Sequence, residues 1–374
     1  MARHSLPRES RWWTALVLIA LVLAALPVHA QDEQIVSRVS GDPITRSAFQ
    51  ARVRLVRWQY LRELDKLYEL TGGNVTLTPQ YVENLVTNLQ NPDTLGDAVL
   101  TQMEEERLLS QAGHDLGIAP TDAEVQQREA EFFSLWTNVS VDKLASSASA
   151  QAFITQWYAD AAAVSGMSQD DLRAVFATEA LRARLFDSVT ANVPTEELAV
   201  HTRHILCSFH PDNPTDLTPP TPDERAAAEN CIMNAYARLS AGESFAAVAN
   251  ALSNDRASAQ RGGDVDWALV STLVTGYADA VRDAELNKLL GPVETEFGLH
   301  LIEVLERRMQ RLTDEEYATS KQAYFDVWLK ALRAKAIVER SPDWNVDIPT
   351  EPGLDTLDPK VRDAVTKVTE TSTP

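Results

Sequence analysis

GPVETEFGLHLIEV, residues 291–304, is the stretch whose reading decides the fold. It holds two β-forming runs, Pro292 to Phe297 and Leu299 to Leu305, folded about Gly298, and so reads as a hairpin. Working outward, HTRHIL at 201–206 is a third strand: Val200, Ile205 and Leu206 form a short apolar run that ends in a Pro-rich loop from Pro211 to Pro222. Thr221-Pro222-Asp223-Glu224 closes that loop with an N-cap hydroxyl, a proline at the first helical position and a Glu three residues after the cap. The helix continues to about Ala241, where Gly242 stops it. Ser244 caps a second, short helix with Phe245, Val248, Ala249 and Leu252 on one face. SNDRASAQRGGDVDW at 253–267 then turns at Gly262-Gly263-Asp264 into a strand from Val265 to Val270, and Tyr277 to Leu286 reads as a short helix. A β-α-α-β-α-β-β order in roughly a hundred residues specifies a small sheet covered by helices.

In order, spacing and phrase, these pieces resemble a parvulin-type peptidyl-prolyl isomerase. The resemblance implies roles position by position. His204 and His300 match the family's facing histidines, and Asp255 matches the acidic or thiol position beside the substrate carbonyl, so these three form the catalytic set. Leu273 and Tyr277 fall where the family usually carries Met and Phe in the proline pocket. Phe297 matches the aromatic before Gly-x-His, and Trp267 completes the substrate-binding set. Asp266 and Ala268 depart from the family's common Gly-Trp-Phe.

The chemistry such a site must do is modest. Rotation about an X-Pro amide crosses a barrier of ~18–20 kcal/mol and needs neither nucleophile, metal nor cofactor, because a twisted amide has only to be bound better than a planar one. An apolar pocket that grips the pyrrolidine ring and strips water from the carbonyl disfavours the polar planar form. His201, His204, Cys207 and His210 recur every third residue like a ligand series. On a strand, however, a spacing of three alternates faces, so they cannot converge on one ion.

The rest of the chain has a different character. Arg3, Arg8 and Arg11, an apolar run from Trp12 to Leu26 and Val28-His29-Ala30 follow the plan of a secretory signal peptide over residues 1–30. A run of about fifteen residues falls short of the ~20 a spanning helix needs. Cleavage after Ala30 therefore exports the chain to the periplasm, cell envelope or exterior, and an uncleaved segment would anchor it to a membrane. Removing three Arg and one Glu takes the formal charge from -20 to -22, an acidic balance that repels nucleic acid. Cys207 and Cys231, the two cysteines, sit on elements that should pack together, and either a disulfide or two buried thiols is compatible with that.

From Gln34 to Val193 one strand, Ile35 to Val39, precedes helices at about Phe49–Leu70, Pro79–Leu89, Thr94–Leu116, Ala123–Trp136, Ala150–Ala163 and Gln169–Ala191. SGDPITRSAF at 40–49 and LTQMEEERLLSQAGHDLGI at 100–118 resemble the N-terminal chaperone domain of exported foldases of the SurA and PrsA type. A further amphipathic helix opens at Thr313-Asp314-Glu315-Glu316. The resemblance implies that this helix packs back on the N-terminal module. The fold class is thus α+β: a mainly helical chaperone module (34–193, with 312–340) built from both chain ends, and an inserted parvulin domain (194–311). Trp344 to Ile348 is expected to pair with Ile35 to Val39, and 349–374, poor in apolar residues, to be a disordered tail. The implied function is isomerase and chaperone action on unfolded or newly translocated polypeptides containing proline. The alternative is a catalytically weak chaperone using the parvulin fold as a scaffold. The loop from Phe209 to Asp223 has no basic cluster for a phosphorylated substrate.

Overall fold

The computed structural model describes residues 34–371, so the segment read as a signal peptide lies outside the described residues. The chain divides into two compact units, one made of 34–189 with 327–371 and the other Thr190–Asp326. Among the described residues no helix is long and apolar enough to cross a membrane.

In the first unit Thr45 accepts a hydrogen bond from the Ala48 amide and so starts the helix Arg46–Leu70. Its apolar residues Phe49 and Val53 sink between the strand Ile35–Val39 and the helix Pro92–Leu116, where Val36, Ile44, Leu95 and Val99 complete a buried cluster. The helices Pro79–Gln90, Asp122–Thr137, Ala148–Ser165 and Gln169–Val189 follow the expected order. The Thr121–Glu124 capping box forms in full, each side chain bonded to the other residue's amide.

Two expectations for the C-terminal stretch need correction. The strand paired with Ile35–Val39 is Val338–Arg340, with Ser37 opposite Arg340, and not Trp344 to Ile348. Trp344 and Ile348 instead pack their side chains on the apolar cluster, Trp344 edge-on to Phe49 at 6.2 Å. Arg340 is drawn to the sheet by the buried Glu104 carboxylate, which takes two of its N–H donors at 2.8 Å and a third bond from Ser37 at 2.6 Å. Nor is the described part of 349–374 a disordered tail: Pro359–Thr371 is a helix. Its Val361, Val365 and Val368 stand four and three residues apart on one face and are buried against Leu61, Leu64, Val82 and Leu85. The stretch is poor in apolar residues on average, but Leu357, Val361, Val365 and Val368 are gathered in one buried cluster.

In the second unit the strands Asp264–Leu269, Glu196–Ser208, Gly298–Arg311 and Leu289–Thr295 lie in that order in one antiparallel sheet. The long central pair runs from Glu196 opposite Arg311 to Ser208 opposite Gly298. Side chains alternate across it. Ile205, Cys207, Leu299 and Leu301 face the helices Pro222–Ser240 and Phe245–Leu252, while Val200, Ile302 and Val304 face the helix Thr275–Arg282. Cys207 and Cys231 are joined in a disulfide, which settles the alternative left open by the sequence. The helix Asp314–Lys335 begins at a bonded Thr313–Glu316 capping box in this unit, and from Val327 on its residues belong to the first unit, where Leu332 packs on the apolar cluster.

Candidate active site

The sheet face that carries Val200 also carries Thr202 and His204 from one central strand and His300 from the other. The hairpin turn between the last two strands adds Thr295 beside His300. Beyond Arg203 the strand pairing with Asp264–Leu269 ends, and the 253–263 loop takes over the exposed edge. The Asn254 amide donates to the Leu206 carbonyl at 2.7 Å, Ser253 Oγ accepts from the Leu206 amide, and Asn254 Oδ1 accepts from the Ser208 amide. Gly263, at φ +89°, lets its carbonyl take the His204 amide proton at 2.8 Å; a Cβ there would stand 2.6 Å from the His204 carbonyl oxygen. These bonds hold Asp255 against His204.

The result is a chain of four side chains. Asp255 Oδ2 lies 2.9 Å from His204 Nε2, the two Nδ1 atoms of His204 and His300 are 3.3 Å apart, and His300 Nε2 is 2.8 Å from Thr295 Oγ1. With both rings neutral, one set of donors satisfies every bond. Thr295 donates to His300 Nε2, His300 Nδ1–H donates to His204 Nδ1, and His204 Nε2–H donates to the Asp255 carboxylate. Thr295 Oγ1 remains free to accept the Phe297 amide proton at 3.2 Å. Burial pushes the His300 imidazole down to about 3, with the neighbouring His204 adding to the shift. The bond from His204 holds the Asp255 carboxylate well below its usual range, and the amides of Ala257 and Ser258 at its other oxygen add to this.

Tyr277 closes the cluster from the adjacent helix. Its ring stands edge-on to both imidazoles, 5.9 Å from His204 and 5.6 Å from His300, and its hydroxyl donates to Thr202 Oγ1 at 3.0 Å. Burial raises the phenol's pKa, so the ring is a neutral apolar wall. Exposure falls along the chain: the side chain of Asp255 is 29% exposed and that of His204 10%, and His300 is buried. The carboxylate is therefore the most exposed member of the chain, with the rings behind it.

Of the pocket residues read from the sequence, Leu273 packs on the Tyr277, Ala278 and Val281 cluster. Phe297 lies at the hairpin tip, its amide on Thr295 and its carbonyl accepting from the Phe209 amide. Trp267 is not brought to the site, which corrects the expectation. It pairs in register with His201 and stacks on it at 5.6 Å, with the Arg308 guanidinium over the Trp267 ring at 4.0 Å. His201 and His204 are three strand residues apart, so Trp267 lies on the face away from Tyr277. Asp266 stands at φ +68°, a left-handed conformation Asp tolerates, and its carboxylate accepts the Trp267 amide proton at 2.8 Å. The strand thereby keeps its path without the family's glycine.

Residues 204–306 match the PPIC-type PPIASE domain of the Rotamase family. This segment is a parvulin domain. Chaperone SurA of Methylococcus capsulatus is 33% identical over 164 residues, covering 41% of this chain and 33% of that protein. Chaperone SurA of Methylobacillus flagellatus is 37% identical over 121 residues, covering 30% and 28%. The chain thus spans about a third of the length of the curated relatives it matches. A solved PrsA from Bacillus cereus covers 87% of this chain and 95% of its own at 19% identity, with a TM-score of 0.38, a likeness too loose to bear on the fold.

The parvulin domain uses several residues that sequence reasoning passed over. Thr295 and Thr202, both buried, terminate the two hydrogen-bonded arms, and Ser253 and Asn254 fix the loop that carries Asp255. Thr295 stands inside the quoted GPVETEFGLH phrase, but threonine in a strand is common and signals nothing by itself. Only its partner reveals it.

Proposed function

We propose that this chain is an exported peptidyl-prolyl cis-trans isomerase that also binds unfolded polypeptides. The observation that carries the reading is the Asp255–His204–His300–Thr295 chain against Tyr277, in a segment that matches the PPIC-type domain. Tyr277, Leu273 and Phe297 form the apolar cradle for a prolyl ring, and Asp255 stands at its lip. As the amide twists, its carbonyl oxygen loses resonance and charge while its nitrogen gains a lone pair. A fixed carboxylate near the carbonyl disfavours the charge-separated planar form and so lowers the barrier. The imidazoles position that carboxylate; buried and neutral, His300 is a scaffold for His204 and not a proton donor to substrate.

The resemblance to SurA-type chaperones supports client binding by the helical unit, with unfolded or newly translocated proline-containing polypeptides as the substrate class. The basic and apolar plan of residues 1–30 supports export. N-terminal sequencing of the mature protein tests this, since a retained Trp12 to Leu26 means anchoring.

The decisive experiment is a cis-trans isomerisation assay with the full chain on a proline tetrapeptide. Acceleration that is lost in Asp255→Ala supports the assignment. A rate equal to the uncatalysed one, in protein that still suppresses aggregation of an unfolded client, replaces it with the scaffold reading.

A further inference from the structure

We infer that the Cys207–Cys231 disulfide is a redox switch on the isomerase site, holding Asp255 in place when oxidised and lowering turnover when a small dithiol reduces it; this rests on the isomerase reading above and adds its regulation. Leu206, Cys207 and Ser208, the last three residues of the strand Glu196–Ser208, join the two halves of the site. On one side they grip the loop that carries Asp255. The Leu206 amide donates to Ser253 Oγ at 3.1 Å, its carbonyl accepts from the Asn254 amide at 2.7 Å, and the Ser208 amide donates to Asn254 Oδ1 at 2.9 Å. On the other side Leu206 stands opposite His300 and Cys207 opposite Leu299. The Cys207 carbonyl lies so close to Gly298 that a Cβ there would overlap it. A shift of the backbone at 207 therefore moves Asp255 relative to the imidazoles.

The disulfide sets that backbone position. Strand pairing ends at Ser208, and the bond spans the Pro-rich loop that follows to reach the middle of the helix Pro222–Ser240, 24 residues on. Cys207 is wholly buried in the cluster with Ile205, Ile232 and Leu301, whereas Cys231 is only partly buried and is the end open to attack. A thiolate of the dithiol attacks the Cys231 sulfur, the S–S bond breaks, and the Cys207 sulfur leaves and takes a proton. The second thiol of the reagent then displaces Cys231, so the dithiol becomes a cyclic disulfide and the protein gains two electrons and two protons. Two thiols cannot stay as close as two bonded sulfurs. In a close-packed interior the extra room comes only from movement of the strand or the helix, and the freed loop no longer opposes it. Such a switch keeps the isomerase idle in a reducing compartment and active in an oxidising one.

The test assays the full chain on a proline tetrapeptide in buffers of graded reduced to oxidised dithiothreitol, with thiols counted in parallel by alkylation in denaturant and mass spectrometry. As two thiols appear, kcat/KM should fall by about tenfold with the same midpoint, and it should return on reoxidation. Amide exchange over 253–263 should quicken on reduction while that of the helical unit stays unchanged. The double variant Cys207→Ala, Cys231→Ala, which removes both the bond and the crowding, should not respond to the reagent. Undiminished turnover with two thiols present, an equal response from the double variant, or exchange that rises equally in the helical unit overturns the switch and leaves the isomerase reading standing. No turnover by the fully oxidised chain overturns both.

Discussion

Acidification should loosen the isomerase unit through one buried ring. His300 titrates near 6.5 when unfolded and near 3 when folded. Between those values the unfolded chain binds the extra proton, so the stability His300 contributes is complete above about 6.5 and declines as pH falls through it. From pH 7 to pH 5 the loss is about 2 kcal/mol, roughly a thirtyfold rise in the open population. Asp255 does not confuse this window. Its depressed folded pKa supplies stability above the unfolded carboxylate value of 3.8 that is lost only below it. His210, raised chiefly by its bond to the Thr218 carbonyl, acts with the opposite sign, and so the comparison must be made against a variant that keeps it. His300→Gln is that variant, since its amide can donate to His204 and accept from Thr295 without titrating. The assay is amide hydrogen exchange by mass spectrometry over peptides from 201–206 and 299–304, corrected for intrinsic rates. Wild-type protection should fall about thirtyfold more than that of His300→Gln over the same two pH units. Equal losses in the two proteins would show that His300 is not a buried neutral ring and would undo the hydrogen-bond polarity assigned to the chain.

Other outcomes follow from the same contacts. Asp255→Ala should lower kcat/KM on a proline tetrapeptide by tenfold or more; it also removes the acceptor for the Ala257 and Ser258 amides, costing about 1 kcal/mol, which denaturant unfolding measures. Tyr277→Phe loses only the bond to Thr202 and should destabilise by about 1 kcal/mol while keeping turnover within a few fold, whereas Tyr277→Ala should abolish turnover. Ending the chain after Leu357 removes the burial of Val361, Val365 and Val368, a loss of about 4 kcal/mol or more that should lower the melting temperature of the helical unit by circular dichroism.

The features legible in the sequence are those encoded within a few residues. The capping boxes at Thr121, Thr221 and Thr313 all form, because a hydroxyl and a Glu three positions apart need only their own helix turn. The α+β architecture and the order of strands and helices in the isomerase unit were readable for the same reason, from alternation, glycine turns and apolar faces. The C-terminal helix was missed although its signal is just as local: composition over twenty-six residues hid a valine spacing of four and three. The pairing of His204 with His300 and Asp255 came from the resemblance, and no local pattern contains it.

What the tertiary structure decided is where distant segments meet. Trp267 falls on the far face because the ladder sets it opposite His201, and a strand's register is a property of two chains of residues, not one. Thr295 and Thr202 matter through partners five and seventy-five residues away, and the union of Cys207 with Cys231 depends on a helix docking on a strand. Local propensity selects elements, but only packing brings their side chains within the few ångströms at which hydrogen bonds and burial act.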